Sequence, residues 1–147
     1  MDSGRRIVRI GGASGFWGDS SVGAPQLVAS GAIDYLVFDY LAETTMAILA
    51  AARAKKPEFG YATDFVEIAM KSVLREVVRR GIKVVSNAGG IHPQGCADAL
   101  RRLAEAQGVS LRIAVVEGDD VSARTELLRP CTADAGAAPG TRLLSAN

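Results

Sequence analysis

The amino-acid sequence predicts an α/β fold: a parallel sheet of about five strands with helices on both faces, in a Rossmann-like open arrangement. Short apolar runs alternate with longer helix-like segments, which is typical of parallel strands joined by helical crossovers. The run Leu36-Val37-Phe38 is apolar at consecutive positions, as expected of a strand covered on both faces. Part of a β/α barrel shows the same alternation and is the alternative architecture.

Strands are predicted where a short apolar run ends at glycines or small polar residues. The predicted strands are 7–10, 33–38, 82–85, 111–116 and a fifth that begins at Leu143-Leu144. The fifth strand would reach the last residue without a covering helix. We therefore expect a single domain over residues 1–147 that is truncated or cut from a longer protein.

Helices are predicted between these strands, at about 24–30, 41–54, 63–80 and 93–107. Gly31, Gly81 and Gly108 stand where a left-handed C-cap ends a helix. Pro57 breaks the second helix, since proline cannot continue a helix interior, and Pro93 suits a first turn. In the third helix apolar residues recur three and four positions apart, which gives one buried stripe.

Composition excludes several classes of protein. The chain has 147 residues, 48% hydrophobic content and a net charge of +1, so no basic face for nucleic acid is expected. No run approaches the roughly 20 apolar residues that cross a bilayer, and no signal peptide is recognisable, so a cytoplasmic location without membrane contact is expected. Cys96 and Cys131 lack the spacing of a zinc site or a disulfide framework, and Cys96 is expected to be a packed helix residue.

The loop after the first strand is predicted to hold an anionic group, although the sequence does not identify a cofactor. Its glycines recur three residues apart, and glycine lets backbone N–H groups approach a phosphate or carboxylate closely. The predicted binding residues are Gly12, Ser14, Gly15, Gly18 and Asp19. The alternative is a tight turn that needs glycine for backbone reasons alone.

Polar residues at the other strand ends are the predicted catalytic residues: Asp39, Glu43, Asn87, Glu117 and Asp119. Carboxyl ends of parallel strands share one edge of the sheet, where ligands bind. Carboxylates crowded there would need raised pKa values, cationic partners or a metal ion to relieve their repulsion. A carboxyl with a raised pKa can act as a general acid or base, and Asn87 could orient the substrate. No metal ligand is assigned, and each single acid could instead be a helix cap or a surface residue.

Two other functions remain open at this point. Gly12, Gly15 and Gly18, with Asp39 about twenty residues further on, also match an NAD(P)-binding oxidoreductase domain. The catalytic Tyr-x-x-x-Lys of short-chain dehydrogenases is absent, however. A non-enzymatic module is the third interpretation: an incomplete sheet exposes an edge, which favours a homo-oligomer or a partner subunit that completes the fold.

Several segments together resemble the acyclic terpene utilisation family (AtuA-like proteins), over about residues 7–147. The segments are Gly15-Phe16-Trp17-Gly18-Asp19, Asp34 to Met46, Pro57 to Phe65, Asn87-Ala88-Gly89-Gly90 and Val116-Glu117-Gly118-Asp119-Asp120. The family is expected to have Asn where this chain has His92, and this departure argues against a catalytic His92. The resemblance implies an enzyme domain in bacterial breakdown of citronellol and geraniol. It also implies a small-molecule substrate, such as a CoA thioester, and a longer parent protein of which this chain is the N-terminal part.

Overall fold

A computed structural model describes residues 7–120, and these form an α/β fold with a parallel sheet. The strands, in spatial order, are β1 (Ile10–Ser14), β2 (Tyr35–Phe38) and β3 (Lys83–Ser86). The helices are α1 (Gly23–Ser30), α2 (Glu43–Lys55), a π-helical segment (Phe65–Met70) that continues into α3 (Lys71–Arg80), and α4 (Pro93–Gln107). The predicted α/β class and parallel sheet are confirmed.

Three helices end at the predicted glycines. Gly31, Gly81 and Gly108 adopt φ values of +68°, +68° and +67°, the left-handed conformation that only glycine adopts without strain. In each case the glycine N–H donates to a carbonyl of the last helical turn. Pro93 occupies the first turn of α4, as its fixed φ favours. These helix boundaries are local properties of the sequence, which is why they are predictable from it.

The first strand lies later in the chain than predicted. The prediction ended it at Ile10, before the glycines, whereas β1 begins at Ile10 and includes Gly11 and Gly12. A Cβ atom at Gly11 would stand 3.1 Å from Leu27 of α1 and 3.2 Å from Ile33. Glycine in this strand therefore permits a close approach of neighbouring side chains and does not end the strand.

The prediction of about five strands is not confirmed. Residues 111–116 alternate between half-buried and exposed positions, but they join no hydrogen-bonded ladder of the described sheet. The alternation of apolar residues shows which side chains are covered by the rest of the protein. An extended segment without strand partners gives the same alternation, so the pattern alone does not establish a strand. The predicted fifth strand at Leu143-Leu144 lies outside the described residues.

Helices cover one face of the described sheet, and the expectation of helices on both faces is wrong for this part of the chain. Leu36 and Phe38 of β2 are buried in a core formed with α1, the π-helical segment, α3 and α4. On the opposite face Ile10 is 67% exposed and Val85 is 54% exposed. Strands in the sequential order β1-β2-β3 place right-handed crossovers on the same side, so the second face stays open.

The N-terminal end of α1 lies against the backbone of β1. A Cβ atom at Gly23 would stand only 2.7 Å from the carbonyl oxygen of Ala13. We expect Gly23→Ala to lower the free energy of unfolding by about 1–3 kcal/mol, measured by urea denaturation, because the helix must move away from the strand. Gly12→Ala is the matched control, since nothing lies within 4 Å of a Cβ there. Equal effects of the two substitutions would contradict the prediction.

Within the described residues, no helix has the length and apolar character needed to cross a lipid bilayer.

Candidate functional site

Asp39 and Asn87 meet at the carboxyl ends of β2 and β3. Phe38 pairs with Ser86 in the sheet, so the residues that follow them emerge side by side. Asn87 Nδ2 donates to Asp39 Oδ1 over 2.7 Å, and Asn87 Oδ1 accepts the backbone N–H of Tyr40 over 2.8 Å. Both ends of the amide thus hold the exposed Asp39 carboxylate in a fixed place at the sheet edge.

The loop after β1 is closed by the side chain of Asp19. Asp19 Oδ2 accepts the Gly15 N–H over 2.9 Å, and Oδ1 accepts the Ser20 N–H over 2.6 Å. These bonds stabilise the ionised carboxylate and hold the pKa of Asp19 below its ordinary value. A raised pKa is one of the three expected ways to relieve repulsion between crowded acids, and it does not occur at Asp19, where backbone N–H groups lower the pKa. The Gly15 N–H, predicted to face a bound anion, is engaged by a carboxylate of the chain itself.

The low pKa of Asp19 makes the stability of this loop depend on pH. Because the folded pKa lies below the ordinary value of 3.8, the ionised carboxylate stabilises the fold above that pH. This contribution is lost as the pH falls through the lowered pKa. We expect Asp19→Asn to destabilise the chain at pH 7 and to match the unsubstituted chain in strong acid, by denaturant unfolding. Glu58→Gln, in an exposed loop, is the matched control and should leave the free energy of unfolding at pH 7 nearly unchanged.

The other predicted acids lie on different elements. Glu117 accepts a hydrogen bond from Gln94 Nε2 over 3.1 Å, in the first turn of α4. Glu43 lies in the first turn of α2, where a carboxylate interacts favourably with the helix dipole. Asp119 is exposed. In the described range, no hydrogen bond joins these three acids to the Asp39–Asn87 pair.

The remaining predicted loop residues have separate environments. Gly12 lies in β1 on the open face of the sheet, and Gly18 adopts φ +91° in the loop. The carbonyl of Ser14 accepts the Asp39 N–H over 3.3 Å, which joins the first loop to the end of β2. The Ser14 hydroxyl is buried and has no well-aligned hydrogen-bond partner among the described residues.

His92 supports the loop before α4. Its Nδ1 lies 3.0 Å from the Phe59 carbonyl oxygen, and its ring lies edge-on to the Tyr61 ring at 6.4 Å. A Cβ atom at Gly95 would stand 2.5 Å from the imidazole, so the ring is packed over the first turn of α4. These contacts explain a conformational role for His92 between two loops.

A small cleft adjoins this corner, between the loop after β1, the end of β2 and the π-helical segment. Its volume is about 30 Å³. Asp19, Tyr40 and Asp64 contribute polar groups to its wall, and Phe38 and Ile68 contribute apolar surface. The sequence singled out neither Tyr40 nor Asp64 as a site residue. Asp64 stands at the start of a predicted helix, where an acid is common, and Tyr40 is adjacent to the more conspicuous Asp39.

The tyrosine in the wall of the cleft has an unusual pKa. Burial raises the pKa of Tyr40 to about 12, and the negative charge of Asp64 contributes to the shift. The Ser14 hydroxyl lies near enough to the phenol to act slightly in the opposite direction. Asp64 Oδ1 is buried and has no hydrogen-bond partner in the described residues. Tyr40 is therefore a neutral phenol, and Asp64 in the same cleft wall has one carboxylate oxygen without a donor among the described residues.

Residues 7–120 do not favour a reactive thiol or a metal site. Cys96 is 5% exposed and packed in the core, as predicted, and burial raises the pKa of its thiol to about 11. A thiol with so high a pKa is a weak nucleophile at neutral pH. Across residues 7–120, no three or more His, Cys, Asp or Glu side chains are grouped in a way that could hold a metal ion.

A family model described as acyclic terpene utilisation family protein AtuA matches residues 8–146. No curated protein and no solved structure matches the chain significantly.

Proposed function

Because the chain belongs to the acyclic terpene utilisation family, we propose that it is an enzyme domain in the breakdown of acyclic terpenoids such as citronellol and geraniol. Its substrate would be an acyl-CoA thioester or carboxylate intermediate. The observation that carries an enzymatic role is the Asp39–Asn87 pair. Both polar groups of the Asn87 amide form hydrogen bonds that hold Asp39 in place. The Asp39 carboxylate stays exposed at the edge of the sheet where active sites typically lie.

In this proposal Asp39 transfers a proton to or from the substrate. The hydrogen bond from Asn87 engages Oδ1, and the exposed carboxylate remains accessible to a substrate. A general base must lie within hydrogen-bond reach of the proton that it removes, and a fixed carboxylate meets this requirement better than a mobile one. Asn87 is a positioning residue. Glu43, Glu117 and Asp119 are candidates for contacts with the rest of the substrate.

The NAD(P)-binding alternative gains no support from the described loop. The Gly15 N–H donates to Asp19, so a negative charge stands where a pyrophosphate would have to bind. The helix that follows begins at Gly23, so residues 15–22 separate its N-terminus from the end of β1. In a dinucleotide-binding fold the glycine loop leads directly into the helix N-terminus that holds the pyrophosphate.

Ligand-dependent thermal unfolding tests the proposed function. We expect a CoA thioester of a geraniol-derived acid to raise the unfolding temperature of the purified chain by several degrees, because a ligand of the native state stabilises it by mass action. The same measurement with free CoA and with the free carboxylate shows whether the CoA part or the acyl part of the thioester raises the unfolding temperature. A response to NAD or NADP alone would favour the oxidoreductase alternative. Cooperative unfolding unaffected by every thioester would contradict the proposal and favour a non-enzymatic module.

A further inference from the structure

A basic groove lies on the helical layer of the fold, between α3 and the last residue of α4. Its volume is about 310 Å³, at the lower end of the range for small-molecule pockets. The side chains that line it are all polar or charged: Lys71, Ser72, Arg75, Glu76 and Gln107. A ligand of this groove is therefore held by charge and by hydrogen bonds.

Two cations of the basic groove have no carboxylate partner in the described part of the chain. Lys71 and Arg75 stand four positions apart on α3, so their side chains are neighbours on the helix surface. Like charges at this spacing repel each other and destabilise a helix. The ion pairs among residues 7–120 involve neither of the two side chains. An anion bound between them would replace this repulsion with attraction.

The acid in the wall of the basic groove is engaged by other residues. Glu76 Oε2 accepts from Arg79 Nη2 over 2.6 Å and from Arg80 Nε over 3.1 Å. These hydrogen bonds lower the pKa of Glu76 to about 2, so its carboxylate is ionised and paired at neutral pH. Because α3 carries four cations and this one acid, the groove lies in a positive potential.

The hydrogen-bonding groups of the basic groove fit a phosphate that carries a hydroxylated substituent. An arginine presents a planar fork of N–H groups that matches phosphate oxygens, and a lysine adds a point charge. Gln107 Nε2 donates one N–H to the Lys71 carbonyl oxygen over 2.9 Å, which leaves its second N–H for a ligand. Ser72 Oγ donates its proton to the Ala69 carbonyl oxygen over 2.7 Å, so it can only accept from a ligand.

We propose that the basic groove binds a hydroxylated phosphomonoester, which carries a charge of about −1.5 to −2 at pH 7. Arg75 and Lys71 hold the phosphate group, and Gln107 donates to one of its oxygens. A hydroxyl of the ligand donates to Ser72 Oγ. The proposal goes beyond the proposed function, because the groove shares no residue with the candidate site at the sheet edge. It holds whether or not that site acts on a thioester.

NMR of the whole chain tests the proposal with two probes that share a carbon skeleton, glycerol 3-phosphate and glycerol. We expect glycerol 3-phosphate to shift the amide signals of Ser72, Arg75 and Gln107 saturably at an ionic strength of about 0.15 M. The expected Kd is roughly 1 mM or lower. Glycerol, which lacks the charge, should give no saturable shift. An equal response to glycerol, or no saturation with glycerol 3-phosphate, would overturn the proposal.

Two charge-matched substitutions assign the binding to the basic groove. Arg75→Gln should weaken glycerol 3-phosphate binding by about tenfold or more, because it removes charged hydrogen bonds to the phosphate. Arg101→Gln removes the same charge from an exposed arginine of α4 that pairs with Asp98, and should change the Kd by about twofold or less. Equal weakening in both variants would mean that net charge alone attracts the anion, and would overturn the proposal.

Vesicles distinguish a soluble phosphomonoester from a lipid headgroup with the same phosphate chemistry. Phosphatidic acid in phosphatidylcholine vesicles presents a phosphomonoester but no free hydroxyl that could donate to Ser72 Oγ. We therefore expect the chain to stay in the supernatant when these vesicles are pelleted. Co-sedimentation that Arg75→Gln abolishes would assign the groove to a membrane surface and would overturn the proposal of a soluble ligand.

Discussion

Replacing Asp39 with asparagine is expected to slow turnover of the geraniol-derived CoA thioester by roughly 10²–10⁴-fold, the range over which a positioned general acid or base acts. The substitution keeps the shape of the side chain and an oxygen that can accept from Asn87 Nδ2. What it removes is the charge and the capacity to take up a proton. The loss should therefore appear in the rate constant and leave the unfolding temperature nearly unchanged.

The measurement follows loss of the thioester by mass spectrometry, with parallel incubation in D₂O to detect exchange of substrate protons. Glu58→Gln removes an acid from an exposed loop and serves as the matched control, with full activity expected. Asn87→Ala should give an intermediate loss, because the carboxylate remains but loses the amide that positions it. An Asp39→Asn chain with normal turnover and normal proton exchange would contradict the assignment of Asp39.

The meeting of Asp39 and Asn87 is the part of the site that sequence patterns predict best. Each residue directly follows an apolar strand, and parallel strands in register bring the residues after Phe38 and Ser86 together. The helix-ending glycines are predictable for a similar reason, since a left-handed C-cap is decided by one residue and its neighbours. The chemical roles of the site residues stay predictions.

Local sequence patterns do not predict that helices cover only one face of the described sheet, nor that Tyr40 and Asp64 line one cleft. Which face the crossovers cover depends on strand order, and the sequence does not state that order. Asp64, which directly precedes the π-helical segment, lines the same cleft as Tyr40, whereas the helical apolar stripe predicts an ordinary α-helix there. The predicted strand at 111–116 is absent from the described sheet for a similar reason. An apolar run does not determine hydrogen-bonded pairing, because pairing depends on residues far away in the sequence.

The turn that carries Asn87 is held by a glycine that cannot be replaced without large movement. Gly90 adopts φ +52°, and a Cβ atom there would stand 2.5 Å from Leu49 Cδ1 and 2.7 Å from the Gly60 carbonyl oxygen. The same carbonyl accepts the Ile91 N–H over 2.9 Å, so moving it also breaks a hydrogen bond. We expect Gly90→Ala to lower the free energy of unfolding by about 2–5 kcal/mol, the sum of left-handed strain and overpacking.

Gly108→Ala separates those two contributions. Gly108 has φ +67° but no atom within 4 Å of a Cβ, so its substitution imposes backbone strain without a clash and should cost about 1 kcal/mol. Urea denaturation gives the loss of unfolding free energy in each variant. The difference between the two losses measures how much the close packing of α2 and the Gly60 loop against the turn contributes. Since the Gly90 N–H donates to the Asn87 carbonyl over 3.1 Å, Gly90→Ala should also weaken thioester binding, whereas Gly108→Ala should not. Equal destabilisation by both substitutions would mean that backbone strain alone makes glycine necessary at position 90, and that the packing around this turn does not position Asn87.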